Sequence, residues 1–338
     1  MSEHVLQVGV IGTGGMGTRH AHNLARAMAW SRVVAVMDLD TARASAVAAE
    51  CGGARVYDDA EALIQDPQVQ AVVIASPDPT HAALARACLA AGKPVLCEKP
   101  LATNVQDAQA VVAAEAALGR RLIQVGFMRV YDPAHQDVKQ VVASGQIGRP
   151  LLFRGYHVNR NPDHTPRTLA EVIVNSAVHD IHSARWLLED EVAQVFTQHV
   201  PWDATDPASC RLLALQLQFE RGGLAFIEVN ADSGYGYEVT AAVVGEQGAV
   251  DSQALRSPAV RMDGVRGQAV EPDWLARFDT AYVREVQAWT QDVLAGRSSG
   301  PSAWDGYVAL AVADAAIESA RQGRPVPVEV MAKPEIYG

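Results

Sequence analysis

The glycines of the first strand-to-helix turn constrain this chain more than any other feature. Gln7 to Gly17 reads QVGVIGTGGMG, so the β-branched run Val8, Val10, Ile11 leads directly into Gly12, Gly14 and Gly17. That is G-x-G-x-x-G at the start of an Ala-rich helix, with Thr13, Gly15 and Met16 filling the intervening positions. Each glycine has a steric job: the first permits the tight turn, the second lets a pyrophosphate approach the backbone, and the third lets helix and strand pack closely. The helix also offers unpaired N–H groups and the positive end of its dipole to phosphate. A glycine-rich turn alone is a weak signal, but its context strengthens it. A second β-branched run, Arg32 to Met37, ends in Asp38, 21 positions after Gly17. That is close to the roughly 20-residue offset at which an acidic residue takes the ribose hydroxyls. A carboxylate there repels a 2′-phosphate, which favours NAD over NADP. Leu39 supplies no cation for such a phosphate, and Arg43 is one turn further on. The competing structural reading makes Asp38 a cap for the next helix.

Strand and helix patterns alternate from residue 7 to residue 125. Asp40–Glu50 reads as a helix capped by Asp40 or Thr41, and Arg55–Tyr57 as a short strand. Asp58 or Asp59 starts a helix ending before Pro67. Ala71–Ser76 is a continuous apolar run, the signature of a parallel strand covered on both faces. Thr80 and His81 open the next helix, Pro94–Cys97 is a further strand, and Thr103–Leu118 a helix capped by Thr103 or Asn104. After Gly126 the pattern changes to a helix at Ala134–Ser144, a strand at Leu151–Val158, a helix at Ser176–Leu188 and four successive strand candidates between Val192 and Gly245. Pro258–Asp273 reads as a long loop, Tyr282–Ala295 and Ala303–Gln322 as helices, and residues 323–338 as an irregular tail. Runs of strands imply a separate sheet domain. The expected architecture is therefore a doubly wound parallel α/β domain over 1–126, followed by an α+β domain over 127–338 whose last helix is able to pack back on the first.

Composition bounds the partners. The formal charge is -11 across 338 residues with no basic cluster, which argues against nucleic acid and anionic membrane. MSEHVLQVGV lacks a basic region followed by a long apolar stretch, so no signal peptide is expected. Cys51, Cys88, Cys97 and Cys210 have neither CxxC nor CxxH spacing, and the expected home is a reducing cytoplasm.

Three stretches could carry chemistry. CEKPL, Cys97 to Leu101, stands at the carboxyl edge of the first sheet, where open α/β sheets bind ligands. An ammonium at Lys99 can hold a substrate oxygen and stabilise alkoxide charge, with Glu98 positioning it; a surface lysine beside an X-Pro turn is the bland alternative. Asn175–Trp186 reads NSAVHDIHSARW, and helical spacing puts Asn175, His179 and His182 on one face with Asp180 directed away. An imidazole there suits proton removal from an alcohol. A helix with two partly exposed histidines is the competing reading, and metal binding ranks last because no further ligand can be placed. FMRVYDP, Phe127 to Pro133, offers Arg129 and Tyr131 to a polyhydroxylated ligand or to an interdomain hinge. His157, Asn159, Arg160 and Asn161 form a polar patch after a strand, and Tyr235 lies in a Gly/Tyr turn.

Together G12-T-G-G-M-G17, the EKP of Glu98 to Pro100 and the helix bearing His179, Arg185 and Trp186 resemble the Gfo/Idh/MocA oxidoreductases. QVGFMRVYDP and YGYEV are similar to the inositol 2-dehydrogenases within that family. The resemblance implies NAD held by residues 12–17, Asp38, Ser76, His81, Glu98 and Lys99, a catalytic lysine at Lys99, an acid/base histidine at His179, and a substrate site lined by Met128, Arg129, His157, Asn175, His179, His182 and Tyr235. It also implies a tetramer built on the open sheets. Inositol dehydrogenases usually carry Asp where Asn175 and His182 stand here. An amide keeps a hydrogen-bonding shape at Asn175, where it would hold the imidazole, but removes a charge that raises basicity. The expected activity is NAD-dependent oxidation of a secondary alcohol of a cyclic polyol or sugar. A non-catalytic dinucleotide-bound regulator and an NAD-recycling glycosidase are the alternatives.

Overall fold

The computed structural model describes residues 5–252 and 259–338, which group into two compact units. The N-terminal tetrapeptide of the leader reading and Pro258 of the expected loop lie outside the described residues. The first unit runs to Met128 and adds Thr280–Leu310 and Met331–Gly338; the second comprises Arg129–Asp279 and Ala311–Val330.

In the first unit, β1 (Leu6–Ile11), β2 (Ser31–Met37), β3 (Arg55–Tyr57), β4 (Ala71–Ile74), β5 (Val95–Cys97) and β6 (Ile123–Val125) form one sheet in the order 3-2-1-4-5-6. Every pair is parallel. Helices α1 (Gly15–Arg26), α2 (Thr41–Glu50), α3 (Ala60–Gln65), α4 (His81–Ala90) and α5 (Val105–Ala117) connect them. All four residues of β4 are buried, as expected of a strand covered on both faces. Side chains of Asp40, Asp59 and Asn104 accept the N–H groups of Arg43, Ala62 and Asp107, fixing three helix starts. Asp40, not Asp38, is thus the cap of α2. Helix α1 stops at Arg26, with Ala27 as its C-cap. The chain reverses its direction of travel across the sheet between β1 and β4, so residues after those strands flank a switch point where ligands bind.

In the second unit, α6 (Pro133–Ala143) and β7 (Pro150–Arg160) are followed by α7 (Leu169–Val172), a π turn (Ile173–Ala177) and α8 (Val178–Leu188). Then come β8 (Val192–Val200), β9 (Leu212–Phe219), β10 (Leu224–Ser233), β11 (Glu238–Gly245), β12 (Ala249–Asp251), β13 (Val260–Met262) and β14 (Val265–Gly267). Helix α9 (Trp274–Leu294) begins in this unit and continues in the first, helix α10 (Ala303–Gln322) begins in the first and continues in this one, and a short strand β15 (Val326–Pro327) follows. The main sheet has the order 12-11-7-10-9-8-15, and all its pairs are antiparallel except β7 with β10. One face packs on α6 and α8. The opposite face carries the alternating exposed residues of β9 and β10, among them Gln216, Phe226 and Glu228.

Several boundaries differ from expectation for local reasons. The helix expected from Ser176 starts at Leu169, because Thr168 and Glu171 form a reciprocal capping box. Helix α9 starts at Trp274 rather than Tyr282, and Asp273 Oδ1 accepts the Ala276 N–H at 2.9 Å. Within the expected loop, β13 and β14 pair as a hairpin around Asp263 and Gly264, whose φ angles of 53° and 77° suit a type I′ turn. The tail is not wholly irregular, since β15 extends the sheet beside β8. Among the described residues no helix is long and apolar enough to cross a membrane, and all four cysteines are buried and free.

Candidate active site

At the carboxyl edge of the parallel sheet, Gly12 has φ +87°, and a Cβ on it would lie 2.5 Å from the Ala75 carbonyl oxygen. A Cβ on Gly17 would come within 1.8 Å of the Gly12 oxygen, so α1 and β1 could not approach as they do. Gly14 and Gly15 are different: a Cβ there would meet nothing within 4 Å. The fold therefore leaves them bare on an open surface. Gly14 is the N-cap of α1 and no side chain caps that end, which leaves the helix terminus available to an anion.

Asp38 closes this pocket chemically. Its Oδ2 accepts the N–H of Thr13 at 2.7 Å and the Thr13 hydroxyl at 2.9 Å, while Oδ1 accepts the Asp40 N–H at 2.9 Å. Arg43 adds Nη2 to Oδ1 at 2.7 Å and Nε to Oδ2 at 3.3 Å. Burial alone would raise this carboxyl, but the donors together hold it down at about 2. A bare glycine turn, an uncapped helix end and a fixed carboxylate fit a dinucleotide.

The ends of β4 and β5 are tied together by His81. Its Nδ1 donates to the Pro100 carbonyl at 2.7 Å and its Nε2 to the Ser76 carbonyl at 2.8 Å. Two carbonyl partners require a proton on each nitrogen, so the ring is an imidazolium. Burial opposes that charge, yet the Cys97 sulfur and the two carbonyls hold the ring up at about 10. At 1% exposure His81 braces the turn from below. Ser76 Oγ lies 2.6 Å from Thr80 Oγ1.

Glu98 is buried, with Oε1 2.7 Å from His20 Nε2 and Oε2 accepting the Lys99 N–H at 3.3 Å. Burial would raise this carboxyl, but His20, Lys99 and His81 keep it below its ordinary value. Lys99, joined to Pro100 by a cis peptide, is partly buried; desolvation lowers it, against the pull of Glu98 and Asp78. A carboxyl oxygen of Glu285, on α9, completes a buried group with His20 and Glu98 whose atoms lie within 4.8 Å of one another. Neither His20 nor Glu285 carries any local sequence signal, since the three come together only through the fold.

In the second unit, Asn175 sits inside the π turn, so regular α spacing relates only His179 and His182. The expectation of one shared α-helical face for all three is corrected accordingly. Asn175 is exposed, whereas His179 and His182 are buried at 7% and 3% exposure. Asp180 does face elsewhere: it accepts from Arg129 Nη1 at 2.5 Å and from His157 Nδ1 at 2.8 Å. Tyr237 donates its hydroxyl proton to His157 Nε2 at 3.2 Å. Burial would raise Asp180, but Arg129 and His157 hold it at about 2; desolvation in turn keeps His157 neutral. Arg129 and His157, both expected along the substrate, are 1% and 2% exposed and belong to this ion-paired network. Met128 is likewise buried. Tyr235 is 54% exposed, and its hydroxyl donates to Glu238 at 3.0 Å and lies 3.3 Å from that of Tyr156.

Comparison with known proteins agrees over the whole length. Residues 6–127 match the oxidoreductase family with an NAD-binding Rossmann fold, and residues 139–329 match that family's C-terminal α/β domain. The chain is 50% identical to an inositol 2-dehydrogenase of Rubrobacter xylanophilus, covering 98% of this chain and 96% of the relative. It is 43% identical to inositol 2-dehydrogenase 1 of Saccharopolyspora erythraea over 98% and 99% of the two chains. Myo-inositol dehydrogenase of Lactobacillus casei, solved in complex with NAD(H) and myo-inositol, superposes with a TM-score of 0.93 at 34% identity, covering 99% of this chain and 100% of that one. The chain belongs to the Gfo/Idh/MocA oxidoreductase family.

Proposed function

We propose that the chain is an NAD-dependent inositol dehydrogenase, oxidising one secondary alcohol of a cyclic polyol to a ketone. The observation that carries this reading is internal to the first unit: the bare glycine turn, Asp38 and Lys99 all stand at the carboxyl edge of one parallel sheet. The end-to-end likeness to inositol 2-dehydrogenases supports the substrate class.

Bound at that edge, NAD supplies the hydride acceptor. Residues 12–17 hold the pyrophosphate against the start of α1, and Asp38 takes the adenosine ribose. Lys99 donates a hydrogen bond to the reacting oxygen and stabilises the negative charge that grows there as the C–H bond breaks. His179 removes the hydroxyl proton. Asn175 and His182 flank that imidazole in the sequence and select among ring hydroxyls, while Arg129, Asp180 and His157 act as the fixed support of the helix that carries it. Tyr235, being exposed, is free to meet a ligand. Assay of NAD⁺ reduction with inositols tests the reading, and a protein that cleaves glycosides without net reduction would favour the glycosidase alternative.

The exposed sheet face supports self-association. Tyr156, Phe196, Gln198, Gln216, Phe226 and Glu228 line a depression of about 560 Å³ there, mixing apolar surface with hydrogen-bonding groups. A homotetramer formed through these faces is the proposed state, placed in the cytoplasm. Light scattering that returns a monomer mass would contradict it.

A further inference from the structure

Resting on the role given to Lys99, we propose that His20, Glu98 and Glu285 are a buried positioning set that holds one carboxylate charge beside Lys99 and so keeps its ammonium protonated. Glu98 precedes Lys99 in the chain and accepts its backbone N–H. His20 Nε2 donates to the other oxygen of the same carboxylate at 2.7 Å, from a ring with no exposure. Gly126 closes the third side, since a Cβ there would lie 3.0 Å from Glu98 Oε2. The carboxylate is thereby fixed from α1, from the β5 turn and from the end of β6.

Glu285 decides how much charge the set holds. It is fully buried, its two carboxyl oxygens have no hydrogen-bond partner among the described residues, and one of them lies within 4.8 Å of the His20 and Glu98 atoms. Two carboxylates this close in a buried site do not both ionise. Glu98 has the hydrogen bonds and Glu285 has none, so Glu98 takes the charge and Glu285 the proton. Burial and the Glu98 charge both push Glu285 well above its ordinary value. Among the described residues, the other titratable groups near the set include the His81 imidazolium, Cys97, Asp78 and Tyr282, whose ring stands edge-on to His20 at 6.2 Å. Glu98 and Asp78 are the charges that raise Lys99 against its desolvation, and Glu98 is the larger of the two. A divalent ion bound by the same three side chains is the competing occupant, and it would require both carboxylates ionised.

The test reads Lys99 itself. Acetic anhydride labelling of the full-length protein without substrate, followed by peptide mass spectrometry across pH, gives the midpoint at which Lys99 loses its proton. Glu98→Gln is expected to lower that midpoint by about one pH unit, the loss of one nearby opposite charge, and to move the alkaline limb of kcat/KM by the same amount. His20→Asn is expected to shift it in the same direction by less. Glu285→Gln, which replaces a neutral acid by a neutral amide, should leave the midpoint in place. An unmoved midpoint in Glu98→Gln overturns the proposal; if that variant fails to fold by circular dichroism, an unmoved midpoint in His20→Asn does so. A Glu285→Gln shift as large as that of Glu98→Gln, or one equivalent of zinc or manganese in the purified protein, also overturns it. Labelling shifts in a protein that reduces no NAD⁺ would refute the dehydrogenase reading and leave the positioning set standing.

Discussion

Arg43 clasps Asp38. The guanidinium reaches back from the first turn of α2 and binds both carboxylate oxygens, at 2.7 and 3.3 Å, while remaining half exposed. Thr13 and Asp40 supply the other donors from the backbone and a buried hydroxyl, so Arg43 is the partner that solvent-side ribose hydroxyls can replace. Its charge also offsets the repulsion that Asp38 would exert on a 2′-phosphate. Arg43→Ala is therefore expected to widen the preference for NAD⁺ over NADP⁺ several-fold in kcat/KM, and Asp38→Ala to narrow it. Steady-state comparison of the two cofactors checks both; an unchanged ratio in each variant would remove this pair from cofactor selection.

Gly14 separates folding from cofactor binding. A methyl group there meets no protein atom within 4 Å, so Gly14→Ala should keep the thermal midpoint of the unliganded protein. With the pyrophosphate placed against residues 12–17 as proposed, it should nonetheless raise the KM for NAD⁺ more than tenfold, since a Cβ at Gly14 would intrude on that space. Gly17→Ala should fail differently, since its Cβ overlaps the Gly12 oxygen at 1.8 Å and the turn itself cannot form. Calorimetry and kinetics on the two variants distinguish these outcomes.

The first unit was largely legible because its signals are local. A glycine spacing, a buried apolar run such as Ala71–Ile74 and caps at Asp40, Asp59 and Asn104 each act within a few residues. Two missed features also had local signatures. Thr168 and Glu171 are a capping box, and Asp263–Gly264 is a hairpin turn. The π turn at Ile173–Ala177 has no such mark, and it is what takes Asn175 out of α register with His179. Arg129 could not be placed from sequence at all. Its partner Asp180 is 51 positions away, and a fully buried guanidinium is decided by tertiary packing.

The Arg129–Asp180 pair gives the second unit an acid limit. Asp180 is held at about 2 against an ordinary 3.8, so its contribution is present above about pH 4 and disappears as pH falls through about 2. That shift corresponds to about 2 kcal/mol. Asp180→Asn leaves a buried guanidinium without its counter-charge, at a cost of about 3–5 kcal/mol. Urea unfolding at pH 7 should show that loss, and the variant's stability should vary less between pH 4 and 2 than the parent's. Equal stability of parent and variant at pH 7 would contradict the assignment.

His81 works in the opposite direction. Its folded value of about 10 lies above the ordinary 6.5, so the stability it confers is complete below about pH 6.5 and is lost as pH rises through about 10. His81→Gln, which can donate to only one of the two carbonyls with comparable reach, should be less stable at pH 6 and should flatten the decline between pH 7 and 10. Thermal midpoints measured across that range test this, and parallel curves for parent and variant would show that the ring is neutral.

The most direct test of inositol oxidation by Lys99 and His179 is a panel of inositol stereoisomers, pyranoses and glycosides assayed with NAD⁺ and with NADP⁺ by absorbance at 340 nm. NAD⁺ reduction is expected with at least one inositol, abolished by Lys99→Ala and reduced by orders of magnitude in His179→Ala while cofactor binding persists. No reduction of either cofactor with any member of the panel, or wild-type rates in both variants, would contradict it.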